Sequence, residues 1–228
     1  MKITILGCGG SFGSPLAWNR HGNIDLKNKK NFRTRSSILI QDKKNHILID
    51  TSPDLRQQLY KAKCTNIDAV LYTHWHSDHT SGLPDMRAMS LINQKVIPAY
   101  MPADMINKME TFYNYIFKGE KDYLPFMKIE NLKTKFSING TDIETFKHNH
   151  GSIDVQTYKI GKFAYSTDLK KFYNKDIDKL KNLDLWIVGL LREDSHPSHA
   201  GFDQIMDFIS YIKPKQTIFT HMTALLDE

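Results

Sequence analysis

Residues 74–79 hold a dense group of possible metal ligands. Three imidazoles (His74, His76 and His79) and the carboxylate of Asp78 stand within six residues. Imidazole nitrogens combined with carboxylate oxygens suit Zn, Mn or Fe. If a strand continued through this run, His74, His76 and Asp78 would share one face. A tight turn after His76 would instead pair the first two histidines with each other and Asp78 with His79, which predicts two neighbouring metal ions.

Two metal ions need more ligands than this run supplies, and three further candidates stand where predicted strands end. His150 lies in the segment His148-Asn149-His150-Gly151, Asp168 follows the strand 163–166, and His221 follows the strand 217–220. Ligands at strand ends are expected to meet at one rim of the sheets. By contrast, His21, His46 and His148 are predicted to be packed or surface histidines without a ligand role.

The elements that must position these residues alternate between short strands and helices. Apolar runs predict strands, with a hairpin turn at 42–45, and Asn139-Gly140 predicts another hairpin within a β-rich segment. Helical periodicity follows Ser52-Pro53 and recurs twice later. The predicted strands are 3–6, 37–41, 46–50, 69–73, 163–166, 185–189 and 217–220, with further short strands in 135–165, and the predicted helices are 53–63, 102–117 and 202–212. This order predicts two sheets packed face to face with helices outside.

Length and composition favour one globular domain over residues 1–228. Hydrophobic residues make up 40% and charged residues 25% of the 228, which excludes collagen-like and disordered classes. The longest apolar run, Leu185 to Leu191, has seven residues, too few to span a membrane. No apolar stretch near the start is long enough for a secretory signal, and Cys8 and Cys64 are too few for a disulfide framework. We therefore expect a cytoplasmic protein.

The formal net charge of +6 favours anionic ligands. Five of the nine residues from Lys27 to Arg35 are basic. A guanidinium matches the geometry of a phosphate better than an ammonium does. Arg33 and Arg35 are therefore predicted substrate contacts, although such a run is also typical of a solvated loop.

The run at 74–79 meets the signature H-x-H-x-D-H, and nearly the whole chain resembles the metallo-β-lactamase superfamily. The other markers of that superfamily also appear in order: Asp50 before this run, and His150, Asp168 and His221 after it. The segments 7–15, 33–37 and 220–222 look most like the PhnP-type phosphodiesterases, which are related to the tRNA 3′-processing nuclease RNase Z. The implied fold class is α/β, or α+β with four layers: an αββα sandwich of two mixed sheets flanked by helices.

The resemblance also implies roles for the site residues. It implies that His74, His76 and His150 hold one ion, that Asp78, His79 and His221 hold the other, and that Asp168 bridges them. By this resemblance, two divalent ions, Zn or Mn, about 3.5–4 Å apart would share a hydroxide that attacks the substrate. Asp50 orients the histidine run by accepting hydrogen bonds. By the same resemblance, His199 would donate a proton to the leaving group and is predicted, with Asp78, to be catalytic. His196 is the alternative to His199 and a predicted substrate contact.

The implied activity is hydrolysis of a small cyclic or nucleotide-like phosphodiester. The alternatives are a tRNA 3′-processing nuclease, disfavoured because no RNA-docking insertion is present, and hydrolysis of a thioester or lactam, which uses the same metal core. A non-catalytic or degenerate metal-binding module is the third alternative. It has weight because the chain ends soon after His221, where similar proteins continue through another strand pair. We expect a homodimer, no membrane partner, and RNA as a less favoured partner.

Overall fold

The computed structural model describes residues 1–17, 22–42 and 45–227, and the chain forms two compact units. The first unit comprises Met1–Leu6 and Ser37–Lys133, and the second comprises Gly7–Ser36 and Thr134–Glu228. Each unit has its own sheet and its own hydrophobic core. The expectation of one domain over residues 1–228 stays a prediction.

The sheet of the first unit is built from six strands of the described residues, in the order β1-β2-β3-β4-β5-β6. They are β1 (Lys2–Gly7), β2 (Ser37–Asp42), β3 (Asn45–Ile49), β4 (Ala69–Leu71), β5 (Ile97–Met101) and β6 (Met127–Asn131). Strands β2 and β3 pair antiparallel, as the predicted hairpin requires, although the turn residues Lys43 and Lys44 lie outside the described residues. Strands β3 to β6 run parallel.

The helices of the first unit differ in part from the sequence-based expectation. They are α1 (Leu55–Lys61), α2 (Ser77–Thr80), α3 (Met86–Asn93), α4 (Ala103–Phe112) and α5 (Asn114–Lys118), with a 3₁₀ turn at Leu83–Asp85. The predicted helix 53–63 begins only at Leu55, because the Ser52 hydroxyl and carbonyl first close a turn by accepting from the Asp54 and Leu55 N–H groups. The predicted helix 102–117 is broken at Tyr113, whose φ of −130° is not helical.

The core of the first unit lies between its sheet and these helices. Leu48, Val70 and Ala99 are neighbours across strands β3, β4 and β5 and are fully buried. Leu59 of α1 and Met105 of α4 belong to the same cluster. Burying a side chain of this size contributes about 1.5–3 kcal/mol, so this packing holds the strand ends that carry the site.

The sheet of the second unit has the order β11-β8-β9-β10-β12-β13, with β7 on the side of β8. Its strands in the described residues are β7 (Lys135–Ile138), β8 (Thr141–His150), β9 (Ile153–Ile160), β10 (Phe163–Ser166), β11 (Lys171–Phe172), β12 (Leu185–Gly189) and β13 (Gln216–Thr220). Strands β10, β12 and β13 are parallel, and the remaining pairs are antiparallel. Asn139 and Gly140 both have positive φ and form the predicted hairpin turn between β7 and β8.

Helix α6 (Phe202–Ile212) packs on this second sheet, and 3₁₀ turns lie at Lys29–Asn31 and Asp176–Leu180. Ile205 and Ile212 of α6 join Trp186 and Val188 of β12 in one buried cluster. The two mixed sheets and their helices give an α+β architecture, as predicted. Within the described ranges, none of the helices reaches the length and apolar character that crossing a membrane requires.

Candidate metal centre

The first candidate cluster is the histidine turn, formed by His74, His76, Asp78 and His79. It begins three residues after β4 ends, and α2 begins at Ser77, directly after His76. The chain therefore turns at His76 instead of continuing as a strand, which is the second of the two arrangements considered from the sequence. The ring of His74 lies 4.5 Å from that of His76 and 4.3 Å from that of His79, measured between centroids.

Asp50 lies behind the histidine turn and holds it in place. Its carboxylate accepts hydrogen bonds from the Thr73 N–H (2.8 Å), from the Thr73 hydroxyl (2.8 Å) and from Nδ1 of His79 (2.7 Å). Complete burial raises the pKa of Asp50, and the hydrogen bonds from His79 and Thr73 oppose that rise. The predicted orienting contact between Asp50 and the histidine turn is thus present in the geometry of the first unit.

In His74 and His79, hydrogen bonds engage Nδ1, so Nε2 is the ring nitrogen that would bind a metal ion. Nδ1 of His74 lies 3.0 Å from the Thr73 hydroxyl, and Nδ1 of His79 is bonded to Asp50. Nε2 of His79 lies 3.2 Å from a carboxylate oxygen of Asp78. Histidines that bind metals usually hold one nitrogen in a hydrogen bond of this kind and bind the ion through the other.

The second candidate cluster is the Asp168 cluster, formed by His150, Asp168, His199 and His221 of the second unit. One carboxylate oxygen of Asp168 lies 3.3 Å from Nε2 of His221, 3.7 Å from Nε2 of His150 and 3.9 Å from Nε2 of His199. Nδ1 of His150 is held by the Ser198 carbonyl at 2.8 Å. All four residues are buried. This combination of imidazole nitrogens around a shared carboxylate fits a divalent transition metal ion.

The backbone at three of these positions adopts an uncommon conformation. Asp50, Asp168 and His221 have φ values of 61°, 52° and 59°. Each follows the end of a strand, and residues other than glycine rarely occupy this left-handed region outside sites where it serves a function. Gly189 permits the turn at Asp168, because a Cβ at Gly189 would stand 2.8 Å from the Asp168 nitrogen.

His148 is packed, as predicted, and it also supports the Asp168 cluster, which the sequence did not reveal. It is buried, and burial lowers its pKa to about 4. The neutral ring donates from Nε2 to the Thr167 carbonyl (2.9 Å), and Nδ1 lies 2.9 Å from the Thr157 hydroxyl. Thr157 is in turn hydrogen-bonded to Ser166. The only sequence signal for this role of His148 was its position two residues before His150. His21, which was also predicted to be packed or on the surface, lies outside the described residues.

His199 and His196 lie in a turn between β12 and α6. The ring of His199 stacks on that of His221 at 5.3 Å and contacts that of His150 at 4.6 Å, so it belongs to the Asp168 cluster. Burial lowers the pKa of His199 to about 3, and the nearby carboxylate of Asp168 opposes that shift. His196 is half-buried, and Nδ1 of its ring lies 2.9 Å from the Ser198 hydroxyl. Its ring centroid is 5.7 Å from that of His199.

The two arginines predicted to contact an anion have different surroundings. The buried guanidinium of Arg33 donates to the carbonyls of Leu226 (2.6 Å) and Thr223 (3.4 Å), so its observed role is to hold the C-terminal segment. The side chain of Arg35 is half-buried and runs beside Gly13. For both arginines, the contact with an anion stays a prediction.

Comparison with known proteins identifies the family. The family model described as a β-lactamase superfamily domain matches residues 45–222. A protein of Porphyromonas gingivalis named octanoyltransferase is 32% identical over 228 residues, which cover 98% of this chain but 46% of that protein. The chain thus spans about half the length of this relative.

Solved structures agree with the fold. A diphosphatase from the PhnP family is 27% identical, with a TM-score of 0.88 over 98% of this chain and 87% of that chain. Zn²⁺-bound PqqB from Methylobacterium extorquens shares the fold, with 18% identity and a TM-score of 0.79 over 99% of this chain and 90% of that chain. From the matched residues, the H-x-H-x-D-H turn and the two mixed sheets, we conclude that the chain belongs to the metallo-β-lactamase superfamily, close to its PhnP and RNase Z group.

Proposed function

We propose that this protein is a hydrolase that requires divalent metal ions and cleaves a small cyclic or nucleotide-like phosphodiester. The observation that carries the proposal is the geometry of the two ligand clusters: in each of them, imidazole Nε2 atoms face a carboxylate while hydrogen bonds hold Nδ1 atoms from behind. The similarity to a diphosphatase at 27% identity supports cleavage at phosphorus.

The side chains divide into those that would hold metal and those that would act on the substrate. The histidine turn would supply metal ligands together with His150, Asp168 and His221 of the Asp168 cluster, and Asp50 keeps His79 oriented through its Nδ1. Bound divalent ions would generate a nucleophile from water near neutral pH and neutralise charge on the phosphoryl oxygens. His199 is the candidate donor of a proton to the departing alkoxide, because its ring lies beside Asp168 and it is not one of the implied ligands. Burial alone favours the neutral ring, and the negative charge of a bound phosphodiester would favour the protonated one.

The test combines metal analysis with hydrolysis of bis(p-nitrophenyl) phosphate and of 2′,3′-cyclic nucleotides. The purified chain should contain two divalent ions, lose activity in a strong chelator and recover it with Zn²⁺ or Mn²⁺. His76→Ala and His150→Ala should each lower the metal content and abolish turnover. His46→Ala is the matched control, because His46 contacts Gln41 and Asp68 and belongs to neither cluster. Full activity of a protein shown to be free of metal would refute the proposal.

The prediction that the chain binds two metal ions has its own readout. It requires that His76→Ala and His150→Ala each reduce the stoichiometry below two ions per chain. Two variants that each retain two ions would refute it, whatever their activity.

A second candidate is hydrolysis of an acyl thioester. One observation favours it: the 32% identical relative carries the name octanoyltransferase, and octanoyl groups are commonly activated as thioesters. The chain covers 46% of that relative, so the transferase activity can belong to the part that this chain does not match. Octanoyl-coenzyme A in the same substrate panel distinguishes the two candidates. Turnover of the thioester with the phosphodiesters untouched would favour the second.

A further inference from the structure

A short turn carries His199, and its carbonyl groups accept hydrogen bonds from residues of other segments. His196 and His199 close the turn with reciprocal backbone hydrogen bonds of 3.0 and 3.3 Å. Within it, the Ser198 carbonyl accepts from Nδ1 of His150 at 2.8 Å. The same turn therefore orients a candidate metal ligand and places the ring of His199 beside Asp168. A shift of the turn would disturb both groups.

Lys170 binds the same turn through other oxygen atoms. Its ammonium group donates to the Ser195 hydroxyl (2.7 Å), to the His196 carbonyl (2.7 Å) and to the His199 carbonyl (3.3 Å). These contacts match the three N–H donors of an ammonium, and all of the acceptors are uncharged. The Lys170 side chain therefore holds one turn in place, and it makes no ion pair among the contacts that the structure describes.

The backbone of Lys170 is itself fixed. Its N–H donates to the Asn149 carbonyl at 2.8 Å, next to His150, and the preceding Leu169 carbonyl accepts from the Ala200 N–H at 2.7 Å. Lys170 also stands two residues after Asp168. The ammonium therefore links the segment that carries Asp168 to the turn that carries His199, over a path of a few bonds.

We propose that Lys170 is a positioning residue that holds the His196–His199 turn so that His199 can protonate the leaving group. This inference rests on the proposed function, because it needs the phosphodiesterase reaction as its readout. A lysine that only stabilised the fold would affect all substrates alike. A lysine that positions a proton donor affects substrates according to how much their leaving groups need a proton.

The test compares two thymidine 5′-phosphodiesters, a p-nitrophenyl ester with a good leaving group and a methyl ester with a poor one. In Lys170→Met, kcat for the methyl ester should fall about 10- to 100-fold, while kcat for the p-nitrophenyl ester changes by less than about threefold and KM and metal content stay constant. Ser195→Ala, which removes one acceptor, should show a smaller effect of the same kind. Lys171→Met is the matched control, since Lys171 is the exposed neighbour on β11.

The outcomes separate this inference from the function on which it rests. Failure of the wild-type chain to cleave either ester refutes the proposed function. Selective loss on the methyl ester in His199→Ala but not in Lys170→Met refutes the role of Lys170 alone. Equal losses on both esters, or loss of metal, in Lys170→Met would make the lysine merely structural and also overturn the inference. If Lys170→Met does not fold, Ser195→Ala decides by the same comparison.

Discussion

The hydrogen bonds to Asp50 allow a prediction that separates folding from metal binding. The carboxylate is fully buried and accepts from three donors: the Thr73 N–H, the Thr73 hydroxyl and Nδ1 of His79. Asp50→Ala leaves all three buried donors without this acceptor. Each unsatisfied group costs about 1–3 kcal/mol, and removal of a carboxylate that is itself costly to bury offsets part of the sum. We expect the free energy of unfolding to fall by about 3–6 kcal/mol.

Asp50→Asn should have a milder effect on folding and a comparable effect on metal binding. One amide oxygen still accepts, but the NH₂ group then faces a donor, so the expected loss is about 1–3 kcal/mol. Because Nδ1 of His79 loses its carboxylate partner, the affinity for Zn²⁺ should fall roughly 10- to 100-fold. The folding energy is measured by urea denaturation in a chelator, and the affinity by competition with a chromophoric chelator.

Asp54→Ala is the control for both measurements. Asp54 lies four residues after Asp50, precedes helix α1 and makes no side-chain capping bond there. Its substitution should change stability by less than about 0.5 kcal/mol and leave Zn²⁺ affinity unchanged. An Asp50→Asn variant that binds Zn²⁺ as tightly as the wild type would refute the reasoning, because it would show that His79 needs no carboxylate to be oriented. An unchanged urea midpoint in Asp50→Ala would refute the energetic part.

Three other predictions follow from the described contacts. Zn²⁺ at 100 times its dissociation constant should stabilise the chain by about 2.7 kcal/mol and raise Tm by roughly 5–10 °C, and a chelator should reverse the rise. If scanning calorimetry shows an unchanged Tm, the folded chain does not bind Zn²⁺. Arg33→Lys should lower stability by about 1–3 kcal/mol and leave KM unchanged, because the guanidinium holds the carbonyls of Leu226 and Thr223; a higher KM at unchanged stability would support the anion contact predicted from the sequence instead. Burial alone would raise the pKa of Asp68, but hydrogen bonds from Lys95, Asn66 and the His46 N–H hold that pKa below its ordinary value of 3.8. The stabilisation that the ionised Asp68 provides is therefore present above pH 3.8 and is lost as the pH falls through the lowered pKa. Asp68→Asn should therefore flatten the acid limb of the urea midpoint against pH, and an unaltered limb would argue against the shift.

The candidate ligands could be proposed from the sequence because their chemistry is local. The H-x-H-x-D-H run needs only its own residues to be recognised, and its turn after His76 follows from the helix that begins at Ser77. The strand ends before Asp168 and His221 were also visible, since each follows a short apolar run. At each of these positions, a few residues that are close in the sequence determine the local structure.

The parts that the sequence missed depend on partners distant in the chain. The pattern of strand β5 was not recognised, although alternate residues of Ile97–Met101 are buried in the sheet. The break at Tyr113 was missed because the apolar periodicity continues across it. Apolar periodicity shows which side of a segment is buried, but it does not show a break in the helix when the apolar positions keep the same spacing across the break.

The same distinction explains the arginines and lysines. Arg33 stands in a basic run, and from the sequence its guanidinium suits a phosphate; its acceptors are carbonyls about 190 residues later in the chain. Lys170 stands two residues after Asp168, and from the sequence alone it cannot be distinguished from a surface lysine. Its three hydrogen-bond acceptors lie 25 to 29 residues later in the chain. Spacing therefore identifies residues whose own chemistry suits a metal ion. Residues that act by holding such groups in place are identified only from their hydrogen-bond partners in the folded chain.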